Sequence, residues 1–212
     1  MKLIIATLSL LILFSCSSKN SIEFKYDSNV KSKIDSLNNL DTISLLNSGP
    51  MSIPLLNTNQ NDNPFYFKIT KTNLPEFDIS ILGLTSSVIP NYTPTSCNCF
   101  IENDELMVKA HFGYNSRIVF SIRLVKNELT GKIFLYDQDT KGFKKNDNTS
   151  KDIELDLYFD EVTFDQKLDL NSKKPTYLEL IGRIEPFKLL NGNEWLQQNA
   201  NFEILLNCNL QQ

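Results

Sequence analysis

The sequence predicts an all-β protein: an antiparallel β-sandwich or curled barrel of about eight to ten strands, with a short helix near the N-terminus. Three observations lead there. From Pro64 onward, apolar residues recur at every second position in run after run, the period of a strand with one face on a core and the other in water. Short clusters of Asn, Asp, Gly, Pro and Ser separate the runs, as turns do. Two of the runs change apolar phase partway along, which is how a bulged strand reads and how a sheet is made to curl.

Taken in order, Val30, Ile34 and Leu37, with Leu40 to Leu46 beyond, recur at helical spacing and predict a short amphipathic helix near 29–40. Gly49-Pro50 stops it. Residues 48–63 are rich in Asn, Pro, Ser and Thr and read as a linker. The strand runs follow: Phe65, Phe67 and Ile69; Phe77, Ile79 and Ile81; Leu106, Val108, Ala110 and Phe112; Ile118, Phe120, Ile122 and Leu124. Residues 128–136, 152–168, 177–190 and 202–210 complete the set. In the 152–168 run, Ile153, Leu155, Leu157 and Phe159 occupy odd positions, but Val162 and Phe164 even ones, so a bulge is expected near Asp160-Glu161. The 177–190 run shifts from Leu178, Leu180 and Ile184 to Phe187 and Leu189 across Pro186, where a proline fits a bulge or an edge.

The N-terminus has another logic. Met1-Lys2 supplies one positive charge, and an apolar run of about 12 residues follows to Phe14, short of the roughly 20 that span a membrane. A basic start, a short apolar core and a small residue before a cut describe an export signal. Leu13-Phe14-Ser15-Cys16 resembles the lipobox of bacterial lipoproteins, with Leu at −3, a small residue at −1 and Cys at +1. Phe14 at −2 is bulkier than the residue usual there. The resemblance implies cleavage after Ser15 and a diacylglycerol thioether on Cys16, usually joined by a third acyl chain on its amine. Two or more chains anchor a protein stably where one does not. Ser17 at +2 is similar to members sorted to the outer membrane of Gram-negative bacteria, and the first acid after the Cys is Glu23; together these favour the periplasmic leaflet over the cell surface. The organisation expected is therefore signal peptide at 1–15, lipidated Cys and tether at 16–28, short helix and linker at 29–63, and an antiparallel β domain at 64–212.

Removing the signal takes away one lysine and no acid, so twenty basic residues face twenty-five acidic ones. A mildly acidic chain without a basic block has no electrostatic footprint for nucleic acid. Lipidation of Cys16 leaves Cys97, Cys99 and Cys208. Disulfides form in an oxidising envelope, and three cysteines leave at least one out of any bridge within the chain. A bridge inside Cys97-Asn98-Cys99 would be strained, so Cys208 is expected to bond one of the two. The sharper alternative is a thiolate site for Cu(I) or Zn, but no metal or other cofactor is expected from a single C-x-C with one distant Cys.

Other candidates each have a plain alternative. His111, the sole histidine, shares a strand face with Met107 and Lys109, opposite the apolar row. One histidine cannot build the usual zinc hydrolase sets, and no G-x-S-x-G elbow occurs. Asp137-Gln138-Asp139 begins like a calcium loop, but position five is Lys141 and position twelve Asn148, where a bidentate Glu is required; residues 137–151 read as a polar hairpin loop. Asp152, Glu154, Asp156 and Asp160 form an acidic row that cross-strand lysines would balance. Trp195, after the Asn191-Gly192-Asn193 turn, is expected on a loop or short helix, either capping the core or contacting a sugar ring or partner. Asp35-Ser36-Leu37 and Asp41-Thr42-Ile43 resemble the Asp-Ser/Thr-aliphatic acceptor for O-glycans on exported proteins of some Gram-negative lineages.

The expectation is a membrane-anchored envelope lipoprotein whose β domain binds or assists without catalysis. Its partners would be the membrane, through the lipid on Cys16, and an envelope protein, glycan or lipid ligand. A hydrolase acting on envelope glycan through unidentified carboxylates is the enzymatic alternative, and a structural surface lipoprotein the third.

Overall fold

A computed structural model describes residues 22–47, 63–72, 92–112, 118–126, 128–136, 142–172 and 174–210, with the backbone alone at 40–47, 71–72, 93–94 and 191. The segment read as a lipobox with its Cys16, the 77–81 run and Asp137 to Lys141 lie outside the described residues, as do the side chains of Asp41-Thr42-Ile43. In chain order the elements are β1 (Phe24–Tyr26), α1 (Asn29–Asn47), β2 (Asn63–Thr72), β3 (Thr93–Glu102), β4 (Glu105–Phe112), β5 (Ile118–Val125), β6 (Glu128–Tyr136), β7 (Phe143–Lys145), β8 (Asn148–Ser150), β9 (Asp152–Phe164), β10 (Thr176–Ile184), β11 (Phe187–Asn191), β12 (Glu194–Gln198) and β13 (Ala200–Cys208).

Eight strands close into an antiparallel barrel: β9, β10, β13, β2, β3, β4, β5 and β6 neighbour one another in turn, and β6 pairs back onto β9. Of the two architectures the alternation allows, sandwich or barrel, the chain forms the barrel. Alternation is the cause, and burial follows it residue by residue: along β6 every second side chain from Leu129 to Leu135 is buried and every intervening one exposed. Tight turns carry the meander. Asn103 and Asp104, at φ 52° and 61°, join β3 to β4, the paired left-handed residues of a type I′ hairpin.

The barrel is filled by its own aromatic side chains. Phe65, Phe67, Phe120 and Phe202 are fully buried; the Phe67 and Phe120 ring centres lie 4.9 Å apart, and those of Phe65 and Phe112 5.7 Å. A large aromatic ring is an economical filler for an eight-stranded interior, which is just wide enough for side chains.

The expected bulge falls at Asp160. Phe159 pairs with Gly182 and Glu161 with Ile181, so the register passes over Asp160. A Cβ built on Gly182 would stand 2.2 Å from the Tyr158 carbonyl oxygen, so the bulge brings the two backbones closer than any side chain permits. The expected 177–190 strand is divided. β10 ends at Ile184 and β11 begins at Phe187 in a different sheet, because Pro186 offers no N–H to continue the ladder. In that second sheet β12, β11, β7 and β8 lie in order. β7 and β8 form a hairpin within the segment read as a polar loop, and Phe143, Phe187 and Leu189 join the barrel's core.

The helix is longer than the 29–40 expected, since Leu40 to Leu46 extend it to Asn47. Val30 and Ile34 are buried against Tyr66 and Leu205, which point outward from the barrel wall; each such burial contributes about 1.5–3 kcal/mol. Lys33 pairs with Glu179 beneath the helix. Burial works against the Lys33 charge, but the hydrogen bond and attraction of Glu179 outweigh it and raise the pKa. β1 lies inside the segment read as tether. It runs parallel to the end of β9, Phe24 beside Val162 and Tyr26 beside Phe164, because Phe24 can rest on the Phe164 ring with centroids 5.3 Å apart.

A disulfide joins Cys99 to Cys208, their Cα atoms 5.5 Å apart. It links β3 to β13 across the end of β2 that starts at Asn63. Asn63 completes the corner: its Oδ1 accepts the Asn209 N–H at 2.7 Å and its Nδ2 donates to the Cys97 carbonyl. Cys97 is buried alongside, its Sγ 3.8 Å from that of Cys99.

Candidate functional site

The ladder between β6 and β9 stops at Gly131 and Leu157, and β1 joins the same edge of β9 only from Val162. Between these points, at residues 158–161, the wall opens into a groove of about 780 Å3. Volumes of roughly 300–1,000 Å3 are typical of ligand pockets. β6 and β9 supply an apolar floor from Leu129, Gly131, Leu157 and Phe159, and Ile22, just before β1, and Met107 of β4 extend it. A Cβ on Gly131 would meet the tip of the Phe159 ring at 2.7 Å; the glycine is what lets that ring approach the β6 backbone.

The rim is charged. Arg123 grips Glu105 through two hydrogen bonds, one of them Nη2 to Oε1 at 2.6 Å. The hydrogen bond from Arg123 holds the Glu105 carboxyl below its ordinary range. Lys132 pairs with Glu154, and the hydrogen bond raises the lysine's pKa. Arg183 faces Asp160 at 3.9 Å, and its guanidinium lies over the Tyr158 ring at 5.7 Å. Tyr158 is 44% exposed although it is large and aromatic. Tyr158 and Arg183 form a ridge: beyond them lies a second hollow of about 380 Å3, where Pro186, Asn199 and Asn201 complete the lining.

The residues singled out in the sequence sit elsewhere or at the edge of this site. Trp195 is on strand β12, not on a loop or helix, paired with Leu190 and half-buried. A Cβ on Gly142 would stand 3.3 Å from its ring, so the ring packs over that glycine. His111 is exposed on β4, opposite Val119. The acidic row divides: Asp156 and Asp160 enter the groove, Glu154 pairs with Lys132, and Asp152 accepts a hydrogen bond from Ser150. Ser36 is exposed on α1, and its neighbour Asp35 pairs with Lys31. Among the described residues no set of three or more His, Cys, Asp or Glu is placed to hold a metal ion.

The groove itself was not legible in the sequence, since Met107, Arg123, Lys132, Tyr158 and Arg183 come from five separate strands. One trace was present: Tyr158 is the aromatic residue on the otherwise acidic, wet face of β9. No protein-family model, characterised protein or solved structure matches this chain.

Proposed function

We propose that this chain is a lipid-anchored binding domain of the bacterial cell envelope, with the outer-wall groove as its binding surface. One observation carries the reading: Ile22, in the groove wall, is six residues from the lipobox cysteine Cys16. Six residues of chain reach at most about 20 Å. A lipid on Cys16 therefore puts the groove close to the membrane on which the domain stands, the outer membrane with the domain in the periplasm. The test is metabolic labelling with a palmitate analogue together with cell fractionation. The native chain takes the label and sediments with membranes, whereas Cys16→Ser carries no label and is found in the soluble fraction or unprocessed. A native chain without lipid overturns the anchor.

A second reading has its own support. Asp156 and Asp160 line one groove, and paired carboxylates serve glycoside hydrolysis. In that reading reducing ends are released from an envelope glycan and Asp156→Asn abolishes the release. Intact glycan after exposure to the native chain removes it.

A further inference from the structure

We propose that the groove takes a neutral oligosaccharide, with Tyr158 as its stacking platform; this rests on the reading of the groove as a binding surface and names the ligand class. Tyr158 stands on the ridge between the two hollows of about 780 and 380 Å3, so a chain occupying both crosses its ring. Arg183 lies over one face of that ring and favours one orientation of it, which removes part of the ordering cost of binding for a sugar on the other face. A tyrosine offers the apolar C–H face of a sugar a flat partner and its hydroxyls a polar tip.

Charge decides the class. Each cation on the rim has a carboxylate beside it: Arg123 has Glu105, Lys132 has Glu154 and Arg183 has Asp160. An anionic polymer would compete with those carboxylates, and a cation with the guanidinium and ammonium groups. A hydroxyl group needs neither exchange, since it accepts from a guanidinium and donates to a carboxylate at once. In the smaller hollow Asn199 and Asn201 add amides of the same dual character.

The test is calorimetry and NMR on the full-length protein in a polyoxyethylene detergent, because sugar-headed detergents would themselves compete. The probes are cellotetraose, an N-acetylglucosamine tetramer and, as the anionic counterpart, tetragalacturonate. At least one neutral tetramer binds with a dissociation constant below about 1 mM and moves the Tyr158 ring resonances, and tetragalacturonate binds more weakly. Tyr158→Ala weakens binding at least tenfold and Arg183→Gln severalfold, while Tyr136→Ala, at an exposed tyrosine outside the groove, leaves it unchanged. Retention of the dispersed core spectrum identifies the folded variants. Tighter binding of the anionic tetramer, or undiminished binding by Tyr158→Ala, overturns the proposal. If neutral sugars leave the groove resonances still while a random hexapeptide mixture or phospholipid vesicles move them, the sugar inference falls and the binding-domain reading stands. If none of these probes moves them, both fall.

Discussion

Glu185 and Asp156 hold each other reciprocally: the Glu185 N–H donates to the Asp156 carbonyl at 2.9 Å, and the Asp156 N–H donates to the Glu185 carboxylate at 3.0 Å. The β9–β10 ladder ends one residue earlier, at Ile184 and Leu157, and the next residue, Pro186, has no N–H to give. The Glu185 side chain thus does what a further rung would have done. Lys145 of β7 completes the junction, its Nζ 2.7 Å from the same carboxylate oxygen. This carboxylate is a polar link between the barrel and the second sheet, beside the apolar contact that Phe143, Phe187 and Leu189 make with the barrel's core.

The pH dependence of that junction has a definite sign. Burial pushes the Glu185 pKa up, but the Asp156 N–H and Lys145 outweigh it and hold the carboxyl below its ordinary 4.5. A group with a depressed folded pKa contributes stability that is complete above the unfolded value and is lost as pH falls through the folded one. Glu185→Gln is expected to cost about 1 kcal/mol near neutrality, the value of a partly exposed charge-assisted hydrogen bond. The difference between variant and native chain should shrink as pH falls below 4.5. Urea unfolding at neutral pH and in mild acid checks both; a difference that grows in acid refutes the assignment.

The Cys99–Cys208 bond spans 109 residues, and closing a loop of that size stabilises by about 4–5 kcal/mol in the chain-entropy account. Cys208→Ser is therefore expected to lower stability by several kcal/mol, whereas Cys97→Ser, which leaves the bridge in place, costs about 1 kcal/mol. Peptide mapping without reduction should recover the Cys99 and Cys208 peptides linked, with Cys97 alkylated only after unfolding.

The two close-packed glycines separate backbone from side-chain crowding. At Gly182 the neighbour at 2.2 Å is the Tyr158 carbonyl, which is backbone; at Gly131 it is the tip of the Phe159 ring. A ring can turn and a bulged strand cannot. Gly131→Ala is expected to cost about 1–3 kcal/mol and to reshape the groove floor. Gly182→Ala should cost more than that, because the β9–β10 register itself must give. Equal thermal shifts for the two variants would contradict this.

These particulars show what the sequence made legible. Phase along β9 placed the bulge at the right residue because one slipped position flips every later side chain, and a buried face records the flip in its apolar letters. The same letters could not say that β10 and β11 enter different sheets. Pro186 marks a break, but only tertiary contact decides which neighbour each half finds. Trp195 was misplaced for a related reason: the turn before it is local, whereas the strand that contains it is specified by pairing with Leu190. The groove left the weakest trace, since its charges come from exposed positions where almost any polar residue suffices for folding.

Helix α1 should be the part of the domain that opens first. Its described anchors are few: Val30 and Ile34 are buried, and Leu37 is partly so. Lys33 and Glu179 form the ion pair beneath it, and the Tyr66 hydroxyl hydrogen-bonds to Asn38. Strands β4, β5 and β13, by contrast, are paired on both edges along most of their length. Segments with few buried contacts open locally at a free-energy cost below that of global unfolding. Ile34→Ala removes one of two fully buried helix side chains and is expected to cost about 2–4 kcal/mol of docking energy. In hydrogen exchange the amides of residues 30–39 should then lose most of their protection, while those of β4, β5 and β13 keep theirs. If the barrel strands lost protection in step with the helix, α1 would be part of the cooperative core rather than a unit docked upon it.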